Sequence, residues 1–564
     1  MSRCAAALLT TIALVAALAG CDRARSARHP ALPGSPSPAA SPSADPSARA
    51  AAIAARLGDE DLVGQVLMPY AYGDSATKVS PASRAGNQKL AGVDTPAEMI
   101  RKYRLGGLIL VSFSADDPTS GTNPTTNMES PTQVHALTAG LQSAAKALPA
   151  GAPLLIGTDQ EYGVVTRIRS GVTQLPSAMA VGAAGDAELT RRAWAAAGAD
   201  LAALGINVDF APDADVVGGA GGVIGSRSFG ADPAAVGTQV AAAVRGLQSA
   251  GVAATLKHFP GHGHTTTDSH TSLPVLSQDR ATLDSGDLPP FRAGIGAGAD
   301  MIMVGHLDVR AIDPGIPATF SRKVLTDVLR GQLGFQGVVV TDALNMAPAE
   351  RWSPGEAAVR ALLAGNDLLL MPPNVGAARQ GILDALHTGR LPRQRLVDSV
   401  TRILALKLRI TGGPGDMSTV DSSERRAAAQ AVTAAAVTVL RGACSGALVH
   451  GPVSVTASNG RDQQRRWLTD ALRAAGVEVT ATGGTQVHLV GYGDGTGDLS
   501  GSATVTVGMD TPYLLASSRS PTLLATYSST QAAMTALARV LAGAARAPGR
   551  SPVPVRGLPR SACG

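Results

Sequence analysis

A repeated pattern of apolar and polar positions occupies the chain between about residues 58 and 410. Short apolar, β-rich runs each end at a polar or acidic residue, and an alanine-rich amphipathic segment follows. Eight such runs occur, at residues 63–68, 107–111, 154–158, 207–211, 252–256, 301–305, 337–341 and 367–371. This alternation predicts an α/β fold with a (β/α)8 TIM-like barrel, although an open doubly wound sheet produces the same pattern.

Polar residues stand at the ends of these predicted strands. In a barrel the carboxyl ends of the strands meet at one mouth, so their side chains converge there. Each residue has a second interpretation, because an Asp at a strand end often caps the next helix. We interpret Asp209, Asp213 and Asp215 as structural residues of this kind rather than as catalytic residues. The remaining candidates are Asp159, Glu161, Lys257, His258, His306 and Asp342.

The pattern changes after residues 413–415, Gly-Pro-Gly. A helix running into a strand is predicted over 424–440, and short strands at 448–456, 477–482, 487–491 and 504–508. These elements predict a smaller α/β domain over residues 413–564, after a barrel over residues 51–412. It contains no cluster of acids, bases or metal ligands, so we interpret it as a support for the barrel and a wall for a subsite.

The first residues predict export. Arg3 precedes an apolar run at residues 5–19, and the following Leu-Ala-Gly-Cys at 18–21 resembles a bacterial lipobox. A signal peptide over residues 1–20 and lipidation of Cys21 are therefore expected, on the extracytoplasmic face of the cell membrane. The alternative is an uncleaved anchoring helix, for which an apolar run of about 15 residues is short against a ~30 Å bilayer core.

Residues 21–50 predict a disordered tether, because they are mostly Pro, Ser, Ala and Arg. The net charge of +5 shows no basic run beyond this linker, and aromatic residues make up 3% of the chain. A nucleic-acid partner is therefore not expected, and no obligate protein partner is inferred. Cys444 and Cys563 bracket the last part of an exported chain, which predicts a disulfide; two unpaired thiols are the alternative.

The loop after the fifth run contains four of the ten histidines. His258, His262 and His264 offer imidazoles to a metal, but no HExxH or CxxC spacing accompanies them, so no metal is predicted. Asp268 and His270 instead suggest an acid/base pair, because a carboxylate on one imidazole nitrogen fixes the tautomer and raises the basicity of the other. A merely solvated polar loop is the remaining alternative.

Four motifs resemble glycoside hydrolase family 3, in its β-N-acetylglucosaminidase branch. Residues 257–274, KHFPGHGHTTTDSHTSLP, resemble the signature whose Asp-Ser-His triplet transfers protons, although His264 stands where the family often has Asp. Residues 159–164, DQEYGV, resemble DQEGGRV, with Tyr162 and Val164 replacing Gly and Arg. Residues 224–230 are similar to IGxRSFG. Residues 337–346 resemble the strand that carries the nucleophile, and residues 524–553 resemble the C-terminal domain of two-domain members.

The resemblance implies a lipid-anchored, retaining exo-β-N-acetylglucosaminidase acting on GlcNAc-containing cell-wall fragments such as muropeptides, without a cofactor. It implies Asp342 as nucleophile and His270, oriented by Asp268, as general acid and base. It also implies sugar contacts from Asp159, Arg227, Lys257 and His258.

The alternatives are another family 3 enzyme such as a β-glucosidase, a GlcNAc phosphorylase, a metal-dependent hydrolase and a sugar-binding lipoprotein. The phosphorylase stays open because a neutral base beside the glycosyl-enzyme does not repel phosphate.

Overall fold

The computed structural model describes residues 45–112, 127–410, 413–458 and 460–564. The predicted signal peptide, Cys21 and the linker up to residue 44 lie outside the described residues. The linker prediction extends too far, because a helix begins at Pro46. Asp45 caps it by accepting from the Ser47 N–H, and proline suits a first helical position. Within the described part of the chain, no helix combines the length and apolar character of a membrane span.

The described residues form sixteen strands in two six-stranded sheets and two small pairs. They are β1 (Leu67–Met68), β2 (Gly107–Ile109), β3 (Leu155–Thr158), β4 (Val208–Asp209), β5 (Ala253–Phe259), β6 (Val275–Leu276), β7 (Met301–Val304), β8 (Asp308–Val309), β9 (Val338–Thr341), β10 (Leu369–Leu370), β11 (Thr438–Arg441), β12 (Val453–Ala457), β13 (Val479–Thr480), β14 (Thr485–Val490), β15 (Val505–Gly508) and β16 (Thr522–Ala525).

Sixteen α-helices connect and cover these strands. They are α1 (Pro46–Arg56), α2 (Asp59–Gln65), α3 (Pro81–Ala91), α4 (Pro96–Tyr103), α5 (Pro131–Ala145), α6 (Ala178–Ala184), α7 (Ala187–Ala203), α8 (Pro233–Ser249), α9 (Arg280–Thr282), α10 (Leu288–Gly296), α11 (Pro354–Ala364), α12 (Val375–His387), α13 (Arg393–Lys407), α14 (Ser423–Ala436), α15 (Asp462–Ala474) and α16 (Gln531–Leu541). Two π-helical segments, Leu283–Asp287 and Lys323–Gln332, and short 3-10 turns complete the helical part.

Eight parallel strands close into the predicted barrel. The order β2-β3-β4-β5-β7-β9 forms one sheet, and β1 pairs with β10 at Leu67↔Leu369. Single bridges at Tyr70↔Ile109 and Val340↔Leu368 join that pair to both edges of the sheet. The open doubly wound alternative is therefore wrong, because the edge strands of an open sheet do not meet. Each of the eight barrel strands lies within, or overlaps, one of the eight predicted apolar runs.

The second sheet belongs to the predicted smaller α/β domain. Its order is β11-β16-β15-β14-β12-β13, parallel except for the antiparallel pair β11 and β16. β16 is not among the predicted strands. Cys444 and Cys563 form a disulfide with Cα atoms 5.3 Å apart, which is the predicted pair. It joins the segment after β11 to the end of the chain.

The two sheets are joined by a shared apolar cluster, and residues 45–564 form one compact unit. Met179 and Val217 from the barrel pack in this cluster with Leu440 and Tyr527 from the smaller domain. The Ser177 hydroxyl donates to the Tyr527 carbonyl at 2.6 Å. The smaller domain therefore packs directly on an apolar surface of the barrel.

Candidate active site

A cavity of about 200 Å³ opens at the carboxyl ends of the barrel strands. It collects side chains from β2, β5, β7 and β10, from the loops after β3, β4 and β5, and from the segment after β9. Its lining includes all seven of the predicted catalytic and sugar-binding residues, namely Asp159, Arg227, Lys257, His258, Asp268, His270 and Asp342. Barrel topology thus brings together residues that are far apart in sequence, as the strand ends predict.

Asp342 lies one residue beyond β9. Its backbone N–H donates to the Val304 carbonyl at 3.0 Å, and its carboxylate accepts from the Ala343 N–H at 2.8 Å. Burial alone would raise the pKa of this carboxyl, but the polar groups around it, among them His270 and the donating Ala343 N–H, hold it below its ordinary value. Asp342 is therefore an anion held by the strand end, as a carboxylate nucleophile must be.

Asp268 and His270 form the predicted pair. The distance from His270 Nδ1 to Asp268 Oδ1 is 2.7 Å, and the same oxygen accepts from the His270 N–H at 2.9 Å. Burial opposes ionisation of Asp268, but its two hydrogen bonds with His270 lower the pKa of this carboxyl below its usual value. The carboxylate therefore occupies one ring nitrogen and leaves Nε2 for proton transfer.

A small parallel pair of strands supports the loop that carries Asp268 and His270. β6 and β8 pair at Val275↔Asp308, and the Asp308 N–H donates to the Pro274 carbonyl at 2.8 Å. The loop leaves β5 and ends at β6, so both of its ends are fixed in sheet structure. This explains how a long polar segment presents two side chains to the cavity.

Buried charges lie together in the cavity. Lys257 Nζ is 3.0 Å from Asp159 Oδ1 and 2.5 Å from Glu161 Oε1, while Arg227 Nε is 2.7 Å from Glu161 Oε2. Burial opposes the ionisation of Glu161, but the two cations lower its pKa to about 2. Burial opposes both cations, but Glu161 and Asp159 raise the pKa of Lys257, and Asp213 and Glu161 raise that of Arg227. Glu161, Lys257 and Arg227 are charged at neutral pH, which suits a site for sugar hydroxyls.

His258 is held in its neutral form at the barrel mouth. Burial, and then the positive charge of Arg227, lower the pKa of this imidazole well below its usual value, so the ring is neutral. Its Nδ1 lies 2.8 Å from Asp215 Oδ2, and the other oxygen of Asp215 accepts from the His262 N–H at 2.6 Å. Asp215 thus orients the loop, in line with its structural interpretation.

Lys257 and His258 are consecutive in β5, yet both reach the cavity. Alternate side chains of a regular strand face opposite sides, so one of the two would otherwise face the helices. The pairing of β5 with β7 shifts register between Leu256 and Phe259. This irregularity re-aims the pair, and the sequence pattern gives no sign of it.

The other polar strand ends are structural. Asp209 accepts from the Gln160 N–H at 2.9 Å, and Asp213 lies 3.3 Å from Arg227 Nε. His306 is buried between the Thr319 hydroxyl at 2.8 Å and the Ala343 carbonyl at 2.9 Å. Burial lowers the pKa of His306, so it supports the segment of Asp342 as a neutral ring.

The three histidines considered as metal ligands do not gather around one point. His264 turns to Asp287, at 2.8 Å, and the rings of His258 and His262 lie 5.6 Å apart and nearly perpendicular. Among the described residues, Asp213, Asp215 and His258 have donor atoms close enough for a cation. Arg227 already places a positive charge beside Asp213, so this group does not fit a metal ion.

Arg167 and Tyr492 are among the lining residues that were not predicted. Arg167 lies three residues beyond Val164, and its Nη2 is 3.4 Å from Asp159 Oδ2. Burial lowers its pKa to about 9, which leaves a cation at neutral pH. Its only sequence signal is a basic residue in the loop after β3. Tyr492 comes from the smaller domain, and no pattern in the sequence connects it to the barrel mouth.

Comparison with known proteins identifies relatives of this site. The family model for the glycosyl hydrolase family 3 N terminal domain matches residues 62–406. β-Hexosaminidase A of Pseudoalteromonas piscicida is 36% identical over 372 residues, which cover 60% of this chain and 60% of that protein. The chain thus spans about 60% of that relative's length. A β-hexosaminidase of Stenotrophomonas maltophilia (strain K279a) is 41% identical over 253 residues, 43% of this chain and 73% of that one.

A solved structure is similar over both sheets. It is a glycoside hydrolase family 3 β-N-acetylglucosaminidase from Paenibacillus sp. str. FPU-7, 33% identical with a TM-score of 0.74. The match covers 88% of this chain and 99% of that one. The matched family region contains Asp159, Arg227, the Asp268–His270 pair and Asp342, all of which line the cavity. The family predicted from the motifs is therefore confirmed, and the chain belongs to glycoside hydrolase family 3.

Proposed function

We propose that this protein is a retaining exo-β-N-acetylglucosaminidase, which releases terminal β-linked GlcNAc through a covalent glycosyl–Asp342 intermediate. The observation that carries the proposal is that an ionised Asp342 and an Asp268-bound His270 line one cavity. The names of the relatives, β-hexosaminidase and β-N-acetylglucosaminidase, support the choice of sugar. Buried charges that can hold the hydroxyls of one sugar support action on a terminal residue.

In the first step an oxygen of Asp342 attacks the anomeric carbon while the bond to the leaving-group oxygen breaks. Protonated His270 gives its Nε2 proton to that oxygen, and Asp268 stabilises the imidazolium before transfer and keeps the ring oriented after it. The products are a glycosyl ester of Asp342, a neutral His270 and a free alcohol.

In the second step water attacks the same carbon. His270 Nε2 takes a proton from this water, the ester bond breaks, and Asp342 returns to the carboxylate. Two displacements at one carbon retain the β configuration. Arg227, Lys257 and Asp159 hold the sugar hydroxyls in both steps, and Glu161 keeps the two cations in place.

A panel of aryl β-glycosides tests the activity. The aryl GlcNAc substrate should turn over far faster than the aryl glucoside, and NMR should find the β anomer of GlcNAc first. Faster turnover of the glucoside would favour the β-glucosidase alternative, and an initial α anomer would overturn the retaining mechanism. Zinc-dependent recovery of activity after chelation would favour the metal enzyme.

The neutral histidine base keeps phosphate open as a second acceptor. A carboxylate base would repel an incoming phosphate anion, whereas a neutral imidazole does not. The same assay in phosphate buffer separates the two acceptors, because GlcNAc 1-phosphate forms only if phosphate attacks the glycosyl-enzyme. Free GlcNAc as the sole sugar product assigns the enzyme as a hydrolase.

We also propose export as a lipoprotein, with peptidoglycan-derived glycans as the natural substrates. The support is the lipobox-like sequence at 18–21 and the proline-rich tether. Cys21→Ala should move the protein from the membrane fraction to the soluble or unprocessed pool. Unchanged fractionation would instead indicate an uncleaved anchor, and Cys4→Ala is the matched control within the same leader.

A further inference from the structure

The smaller domain reaches the active site through one aromatic residue. Tyr492 follows β14 by two positions, and its side chain lines the cavity together with Arg227 and His270. Among the described residues of the lining, Tyr492 is the most exposed, at 42%. It therefore stands at the rim, whereas Lys257 and Glu161 lie deep in the cavity with side chains 2% and 5% exposed.

The segment that carries Tyr492 is held by polar contacts. The Arg461 guanidinium donates to the Tyr492 carbonyl and lies 3.7 Å from the Asp494 carboxylate. Asp494 also accepts from the Gly491 N–H at 2.6 Å. A Cβ at Gly491 would lie 2.9 Å from Arg461 Nε, so a larger residue here would displace the guanidinium that holds the segment. These contacts fix the turn after β14 and thereby the position of Tyr492.

A second contact fixes this domain to the sugar-binding loop. The Ser226 hydroxyl bonds to the Asp510 carboxylate, immediately beside Arg227. Asp510 follows β15 and Tyr492 follows β14, and these two strands are paired neighbours. The position of Tyr492 relative to Arg227 is therefore set by this sheet together with the Ser226–Asp510 hydrogen bond.

We propose that Tyr492 forms the wall of a leaving-group subsite, where its ring packs on the pyranose ring of the sugar that departs from the terminal GlcNAc. This inference rests on the proposed function. The buried charges take the hydroxyls of the terminal sugar, so the leaving group extends toward the rim past His270, whose side chain is 28% exposed. An aromatic face at this rim removes the C–H face of a sugar ring from water.

Two substrates with alkyl alcohol leaving groups test this subsite. One is the β-1,4-linked GlcNAc disaccharide, and the other is methyl β-N-acetylglucosaminide, whose leaving group has no ring. Tyr492→Ala should lower kcat/KM for the disaccharide roughly three- to tenfold and leave the methyl glycoside within about twofold. Tyr492→Phe, which retains the ring, should match the wild type on both.

Ile316→Ala is the matched control, because Ile316 is 40% exposed and does not line the cavity. It should change neither substrate. Equal losses of Tyr492→Ala on both substrates, or no loss on the disaccharide, would overturn the subsite while wild-type turnover upholds the proposed function. Wild-type protein that cleaves neither substrate would overturn the proposed function, and the subsite with it.

Discussion

The protonation states of individual residues in the cavity indicate which residue can attack and which can transfer a proton. Asp342 is an anion despite its burial, and His258 is neutral despite its neighbouring carboxylates. Asp268 is an anion hydrogen-bonded to His270. Among the imidazoles of this loop, His270 is the one that lines the cavity with an ionised carboxylate on one ring nitrogen and its other nitrogen open. These states are the ones that the proposed roles require, with attack by Asp342 and proton transfer by His270, which Asp268 positions.

A series of leaving groups separates the roles of Asp342 and His270. General acid help is worth roughly 10²–10⁴-fold and matters when the departing oxygen is basic. His270→Ala should therefore lose about that factor in kcat/KM on the GlcNAc disaccharide and much less on an aryl glycoside with an acidic phenol. Asp342→Ala should abolish turnover of both, because no leaving group replaces the nucleophile.

His264→Ala provides the matched control for this series. It removes an imidazole from the same loop, but His264 faces Asp287 and does not line the cavity. Its leaving-group dependence should follow the wild type, and Asp268→Ala should fall between wild type and His270→Ala. A His270→Ala loss that is equal for every leaving group would refute the acid assignment.

Within the elements, α13 carries an unusual charge. Lys407 at its end is 2% exposed, and its Nζ donates to Gln65 Oε1 at 2.8 Å. Among the described residues no carboxylate is ion-paired with it, and burial lowers its pKa from 10.5 to about 7. The folded protein thus binds this proton more weakly than the unfolded chain does.

This lysine predicts how stability depends on pH. The penalty for burying the charge is complete below pH 7 and is relieved as pH rises toward 10.5, so this group makes the free energy of unfolding increase over that window. Lys407→Met should raise stability at pH 7 and flatten the slope by roughly 2–3 kcal/mol between pH 7 and pH 9. Urea unfolding at both values measures the slope.

Lys89→Met is the control, because Lys89 is an exposed residue of α3 and its substitution should leave the slope unchanged. A Lys407→Met variant with the wild-type slope would show that the lysine keeps its ordinary pKa in the folded state.

The eight barrel strands could be predicted because a parallel strand buried on both faces is a continuous apolar run. The motif residues could be predicted because strand ends in a barrel converge. β16 was not predicted, because Thr522–Ala525 overlaps the segment from residue 524 onward that was interpreted only by its resemblance. Arg167 and Tyr492 lie in loops without periodicity, so only tertiary structure reveals their places in the cavity. The place of His258 was implied by the resemblance, but the register shift that brings it to the cavity beside Lys257 has no sign in the sequence.

At the scale of the whole molecule, the disulfide closes a long segment. Cys444 and Cys563 are 119 residues apart. The segment between them contains Val553, which packs in the shared apolar cluster. Loop-closure entropy for such a length is worth roughly 4–5 kcal/mol. The double variant Cys444→Ser/Cys563→Ser should therefore lose up to about 4–5 kcal/mol of its free energy of unfolding, as measured by denaturant unfolding.

Reductant is the control for the disulfide. Dithiothreitol should destabilise the wild type and leave the double serine variant unchanged. Two free thiols from Cys444 and Cys563 in denatured, unreduced wild type would contradict the pairing.

Removal of the smaller domain should damage the barrel as well as the site. A chain ending at residue 412 exposes Met179 and Val217 of the shared cluster. It also removes Arg425, whose Nη1 lies 2.5 Å from the buried Asp200 carboxylate. Stripping the partner from a buried charge typically costs about 3–5 kcal/mol. We therefore expect the truncated chain to aggregate or to unfold at markedly lower denaturant concentration.

The full-length Arg425→Ala variant isolates the electrostatic part of this effect, because it keeps the apolar cover. It should lose stability but retain activity on methyl β-N-acetylglucosaminide, since Arg425 does not line the cavity. The truncated chain should lose both, because the loop of Arg227 also loses the Ser226–Asp510 hydrogen bond. A soluble truncated protein with wild-type kcat/KM on the methyl glycoside would show that the barrel holds its active site alone.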